Sequence, residues 1–141
     1  MSIQAYVNFS GNCREAVEYY AKVFKTKEPK IMTYSEMPPD PDFVVPDETK
    51  DWVLHTSLDI SGSTVMFSDV FPGMPLVVGN NISLTIITDD EAEIRDAFDQ
   101  IKEEGRVDME LGETFWSKCY GSVEDKFGII WQFDLDSGES F

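Results

Sequence analysis

Polar and apolar residues alternate from Ile3 to Phe9. Ile3, Ala5, Val7 and Phe9 fall on one side, and Gln4, Tyr6 and Asn8 on the other. A period of two is that of a strand with one buried face. After Ser10-Gly11 the period changes. Cys13, Ala16, Val17, Tyr20, Val23 and Phe24 recur at intervals of three and four, the spacing of a helix that buries one stripe. Asn12 followed by Glu15 has the form of a capping box. Pro29 interrupts before a short run at residues 30–34. Two strands follow, at 52–60 and 64–70, joined by the tight turn Ser61-Gly62-Ser63.

The same succession then returns. Residues 82–88 read as a strand, Asp90 with Glu93 repeats the cap, and Ile94, Ala97, Phe98 and Ile101 form a helix stripe. Strands are expected at 107–111, 119–124 and 129–134. The chain is thus strand-helix-strand-strand-strand, twice: module 1 at about residues 1–72 and module 2 at about 79–136. A unit that leaves one sheet face bare implies copies that pack together. The copies differ at residues 35–51, where the first holds four prolines and six acidic residues. Such a stretch cannot be a regular helix or a central strand. It is expected to be a flexible loop, either a lid over a ligand or a solvated excursion.

Charge narrows the function classes. The 141 residues carry 11 Lys and Arg against 27 Asp and Glu, a formal charge of −16. That field repels nucleic acid and anionic membranes. The apolar runs are too short to span a bilayer, and the N-terminus lacks a secretion signal, so a cytoplasmic protein is expected. Cys13 and Cys119 then read as separate reduced thiols. There is one histidine, His55. Nothing resembles a phosphate-cradling glycine loop or a nucleophile elbow.

"YVNFSGNCREAVEYYAKVF", "HTSLDISGSTVMFSD", "GNNISLTI" and "ETFWSKCYGSVEDKFGIIWQF" resemble the vicinal oxygen chelate superfamily of glyoxalases, extradiol dioxygenases and bleomycin-resistance proteins. More narrowly, they are similar to its PhnB-like branch, also described as 3-demethylubiquinone methyltransferase-like. The resemblance implies an α+β fold of two βαβββ modules, with curled sheets around a cup and helices outside. It also implies a homodimer. Superfamily enzymes hold a divalent metal with His, Glu or Gln from four strands. Those positions fall here on Ala5 (Gln4 or Tyr6 with one residue of slippage), on Met66 to Ser68, on about Asn81, and on Gln132. None is His, Asp or Glu, so neither a metal nor another cofactor is expected. The methyltransferase description is discounted, because no glycine-rich turn follows a strand in an alternating α/β pattern.

Alternation places the remaining candidates. Gln132 shares a face with Ile130 and Asp134, opposite Trp131 and Phe133. It reads as a ligand or water contact or as a structurally bonded amide, and least of all as a metal donor. His55 shares a face with Val53, Ser57 and Asp59. It is the catalytic candidate, since its ring could move a proton near neutral pH, and a candidate ligand contact, although a lone histidine on a strand is more often structural. Tyr6, Asn8, Ser57 and Ser68 fall on the same inner surface. Trp116 and Tyr120 are further ligand-binding candidates before and at the start of a strand; Phe115 and Trp116 could wall a flat ligand, or equally pack the join between modules or a dimer contact. The leading reading is metal-independent binding of a small, partly apolar molecule in the cup. The alternatives are a metal-dependent lyase, isomerase or dioxygenase, and an interaction module without a ligand.

Overall fold

A computed structural model describes residues 1–138. The chain divides into two compact units, Met1–Val77 and Val78–Phe141. The first has the order β1 (Ala5–Phe9), α1 (Cys13–Val23), β2 (Met32–Thr33), β3 (Val53–Ile60) and β4 (Ser63–Asp69). The second repeats it as β5 (Leu84–Thr88), α2 (Glu91–Lys102), β6 (Arg106–Gly112), β7 (Tyr120–Glu124) and β8 (Ile130–Leu135). Each unit is a four-stranded sheet with one helix, ordered β1-β4-β3-β2 and β5-β8-β7-β6. The fold is therefore α+β, built from two βαβββ modules, as expected. In each sheet the first strand runs parallel to the last, and the other pairings are antiparallel.

Helix stripes and strand faces meet as their periods require. Cys13, Ala16, Val17, Tyr20 and Val23 are buried along α1. In the same unit Phe9, Leu58, Val65 and Phe67 are buried from the sheet. The Tyr20 ring stacks on Phe67 at 5.7 Å. In the second unit Phe98 of α2 meets the Phe133 ring edge-on at 6.0 Å. Each buried ring or aliphatic side chain adds roughly 1.5–3 kcal/mol from apolar burial.

Three local expectations need correction. Ile3 and Ile82 lie outside the strands and are exposed, because β1 and β5 start two residues later than the alternation suggests. The Asn12 side chain makes no capping bond. Instead Asp69 Oδ1, at the end of β4, accepts from the amides of Gly11 (2.7 Å) and Cys13 (3.1 Å), so a carboxylate distant in sequence caps α1. Asp90, by contrast, caps α2 as read, accepting from the Glu93 amide.

The segment of residues 34–51 is closed at its base. The amides of Tyr34 and Ser35 donate to the carbonyls of Trp52 and Lys50. Two 3-10 turns, Tyr34–Glu36 and Asp47–Thr49, take up its ends. Tyr34 is buried and donates its hydroxyl to the Asp69 carbonyl at 2.8 Å. Phe43 packs edge-on against Phe71. Among the described residues no helix is long and apolar enough to cross a membrane.

Candidate functional site

Each sheet packs a helix on one face and carries its polar candidates on the other. The registers make the two helix-free faces comparable, residue by residue. Met66 pairs with Tyr6 on β1 and with Ser57 on β3. Gln132 pairs with Thr85 on β5 and with Ser122 on β7. Met66 and Gln132 therefore occupy the same place in the two units, as do Tyr6 and Thr85. His55 and Tyr120 correspond as well, each lying two residues before the paired serine.

In the first unit, Tyr6 and His55 come together. The Tyr6 hydroxyl lies 3.2 Å from His55 Nδ1, and the two rings tilt at 48° with centroids 5.8 Å apart. Both side chains are exposed. Asn8 and Ser68 form a second pair, the Ser68 hydroxyl donating to Asn8 Oδ1 at 3.0 Å. Ser68 is buried, so that bond satisfies a group withdrawn from water. Ser57 lines a separate recess of about 370 Å³ with Thr26, Lys30 and Asp59.

In the second unit, Gln132 is the centre of a chain of hydrogen bonds. Its Oε1 accepts from the Tyr120 hydroxyl, and its Nε2 donates to Ser83 Oγ at 2.6 Å. A carbonyl oxygen has two lone pairs and an amide nitrogen two protons, so each end retains one further site. Trp116 meets Tyr120 edge-on at 5.2 Å, and Phe115 meets Trp116 edge-on at 4.7 Å. Burial pushes the Tyr120 hydroxyl above the usual phenol range, with Asp134 adding to the effect, so it stays a donor at neutral pH. Ser83 was not foreseen. It precedes β5, but it lies two residues before Thr85, and extending that alternation by one step reaches it.

The stretch before the last strand is architectural. In "EDKFGIIW", Asp125 is buried; its Oδ1 accepts from the amides of Phe127 and Ile129, and its Oδ2 from the Trp131 indole at 2.9 Å. Gly128 takes φ 90°, a conformation side chains resist, and a Cβ there would also lie 3.2 Å from Val78. The motif thus locks the turn that feeds Trp131 to the helix side and leaves Gln132 on the other.

The donors at the metal positions do not fit a divalent cation. The register sets a thioether (Met66) beside a phenol (Tyr6) in one unit, and an amide (Gln132) beside a threonine hydroxyl (Thr85) in the other. Asn81 lies outside β5 and is exposed. Transition-metal sites are built mainly from imidazole, carboxylate or thiolate, and a single neutral carbonyl, Gln132 Oε1 with one lone pair left beside its bond from Tyr120, does not make a cage. Among the described residues, no three His, Cys, Asp or Glu side chains are grouped to hold an ion. Burial raises both thiols, Cys13 and Cys119, above the usual thiol range, which disfavours the thiolate needed for ligation or nucleophilic attack. A methyl donor's site is equally ill matched. The turn after β1 has a single glycine, Gly11, and a Cβ there would lie 2.9 Å from the Trp52 ring, so packing fills the space a cofactor would need. The turn after β5 is Asp89-Asp90.

Comparison with known proteins gives a consistent picture. A family model described as 3-demethylubiquinone-9 3-methyltransferase matches residues 1–134. Protein YjdN of Escherichia coli (strain K12) is 28% identical over 146 residues, covering 96% of this chain and 95% of YjdN. The crystal structure of protein PA1353 from Pseudomonas aeruginosa is 30% identical, with 95% and 96% of the two chains covered and a TM-score of 0.81. The fosfomycin resistance protein FosX of Listeria monocytogenes, 9% identical with 97% and 91% covered and a TM-score of 0.62, shares the fold.

Proposed function

The chain belongs to the PhnB-like family described as 3-demethylubiquinone-9 3-methyltransferase, within the vicinal oxygen chelate superfamily, and from that membership we propose that it binds a small, partly apolar molecule on its helix-free sheet surface without a metal. The observation that carries this reading is the grouping of Trp116, Tyr120 and Gln132. An aromatic wall stands beside an amide whose orientation is fixed at both ends. A flat ligand gains area from the rings, and the amide's remaining lone pair and proton select its polar edge. Fixing the amide beforehand removes an ordering cost from binding. Tyr6, Asn8, His55, Ser57 and Ser68 belong to the first unit, and we propose them as ligand-contacting candidates of that unit by itself.

The family's description names a methyl transfer, but the strand-to-helix turns do not suit its cofactor. Because the resemblance implies a homodimer, we propose that state too; light scattering giving a monomer mass at micromolar concentration would refute it.

The binding reading is tested by native mass spectrometry of freshly purified protein, followed by titration of any released molecule against Trp fluorescence. The molecule should bind equally before and after treatment with a chelator. Trp116→Ala and Gln132→Ala should each weaken it about tenfold or more. Binding that vanishes on chelation, or that ignores both substitutions, would falsify the proposal.

One observation favours a second reading. The Tyr6–His55 pair is a hydroxyl and an imidazole within hydrogen-bonding reach on an open face, as acid–base chemistry requires. An enzyme of that kind loses turnover in His55→Ala, and unchanged turnover excludes it.

A further inference from the structure

The segment of residues 34–51 in the first unit forms a half-open cavity of about 450 Å³, lined by Tyr34, Met37, Pro38, Asp40, Phe43 and Val44 among others. That volume lies within the range of small-molecule sites. The walls are mostly apolar, yet Phe43 and Val44 remain 56% and 72% exposed. Apolar side chains held around a void, on a loop closed by its own hydrogen bonds, leave surface that a ligand would remove from water.

The charge around the cavity selects the ligand. Residues 34–51 contain six acidic residues and one base, Lys50. Lys50 also lines the cavity, but its ammonium is held 2.8 Å from Asp47 Oδ1. Asp40 is among the lining residues and brings a carboxylate to this segment. One oxygen accepts from the Asp42 amide at 2.9 Å, and the other has no partner among the described residues. An anion entering here meets a field of its own sign, whereas a cation is drawn in and can donate to Asp40.

We propose that this cavity binds a small organic cation with an apolar body, through residues other than Trp116, Tyr120 and Gln132. The body sits against Met37, Pro38, Phe43 and Val44, and the ammonium faces Asp40.

The test uses three probes of similar size that differ in charge: phenethylamine, phenethyl alcohol and phenylpropionate. Each is titrated into the full chain at low ionic strength, with backbone amide NMR shifts as the readout. Phenethylamine should shift amides within residues 34–50 and bind about fivefold or more tightly than phenylpropionate. Asp40→Asn should erase most of that difference while leaving the alcohol unchanged. Phe43→Ala should weaken all three probes. Both side chains are exposed, so both variants keep the fold, and the unshifted amides of β4 verify this in the same spectra. Equal binding of amine and acid overturns the proposal. So do shifts confined to Trp116, Tyr120 and Gln132, which would credit the other surface instead. Loop shifts that follow protein concentration without any probe overturn it as well, since a second copy would then be the occupant.

Discussion

The Tyr6 hydroxyl reaches His55 Nδ1 at 3.2 Å although β4 runs between their strands. The residue beneath the contact is Met66, whose side chain offers no competing donor. At the same place in the second unit stands Gln132, and there Tyr120, the counterpart of His55, bonds the amide instead. In the first unit the flanking strands thus bond each other across Met66, whereas in the second, where all three positions differ, Gln132 bonds Tyr120 on one side and Ser83, just before β5, on the other.

Tyr6→Phe removes the bond from an exposed pair, so the expected cost in stability is small, about 0.5 kcal/mol. The change should appear at the ring instead. The His55 Nδ1 resonance should move in nitrogen NMR while the urea midpoint stays nearly constant. A large loss of stability would mean that the phenol supports packing rather than the imidazole.

Gln132→Met copies the first unit's arrangement into the second. It leaves the Tyr120 and Ser83 hydroxyls without their amide, but both are only partly buried and can turn to water. A loss of about 1–2 kcal/mol is expected by chemical denaturation. Ligand binding should fall further than stability does, since the oriented amide is lost. Retained binding would assign Gln132 a structural role alone.

Asp69 holds together more chain than any cap read from neighbouring residues. It is buried, and its two oxygens accept three amides: Gly11 and Cys13 at the start of α1, and Val53 at the start of β3. Asp69→Asn replaces one acceptor oxygen by a donor facing a donor. The expected cost is about 2–4 kcal/mol, measured by urea unfolding. A loss below 1 kcal/mol would show that local water or Asn12 can take over the cap.

These residues show where sequence reading reaches and where it stops. Alternation along the last strand correctly put Trp131 and Phe133 under the helix and Gln132 opposite, because a strand's period is fixed by its backbone. The α1 stripe was legible for the same reason at a different period. Asp69 was not, since its partners lie 56 and 58 residues earlier in the chain and nothing local marks them. Asn81 was misplaced as a metal position because strand ends carry little pattern; the register sets Thr85 beside Gln132 instead. The closed base of the 34–51 loop also depends on backbone bonds to Lys50 and Trp52, which no side-chain pattern announces.

The buried thiols make a prediction about alkaline pH. Burial, with a further push from Asp69, raises Cys13 above the ordinary thiol value of 9.0. Burial also raises Tyr34, with Asp69 again contributing. In both cases the native state holds the proton longer than the unfolded chain does. The stability from this preference is complete below the unfolded value and is lost as pH climbs above it. Unfolding free energy should therefore decline from about pH 9 upward, each such group steepening the slope by up to about 1.4 kcal/mol per pH unit. Cys13→Ala should flatten that decline, at the cost of a small cavity under α1. The same burial should keep Cys13 and Cys119 from iodoacetamide at neutral pH until denaturant is added, which intact-mass spectrometry reads directly. Rapid native alkylation of Cys13 would mean that α1 separates from its sheet far more often than the stacking of Tyr20 on Phe67 implies.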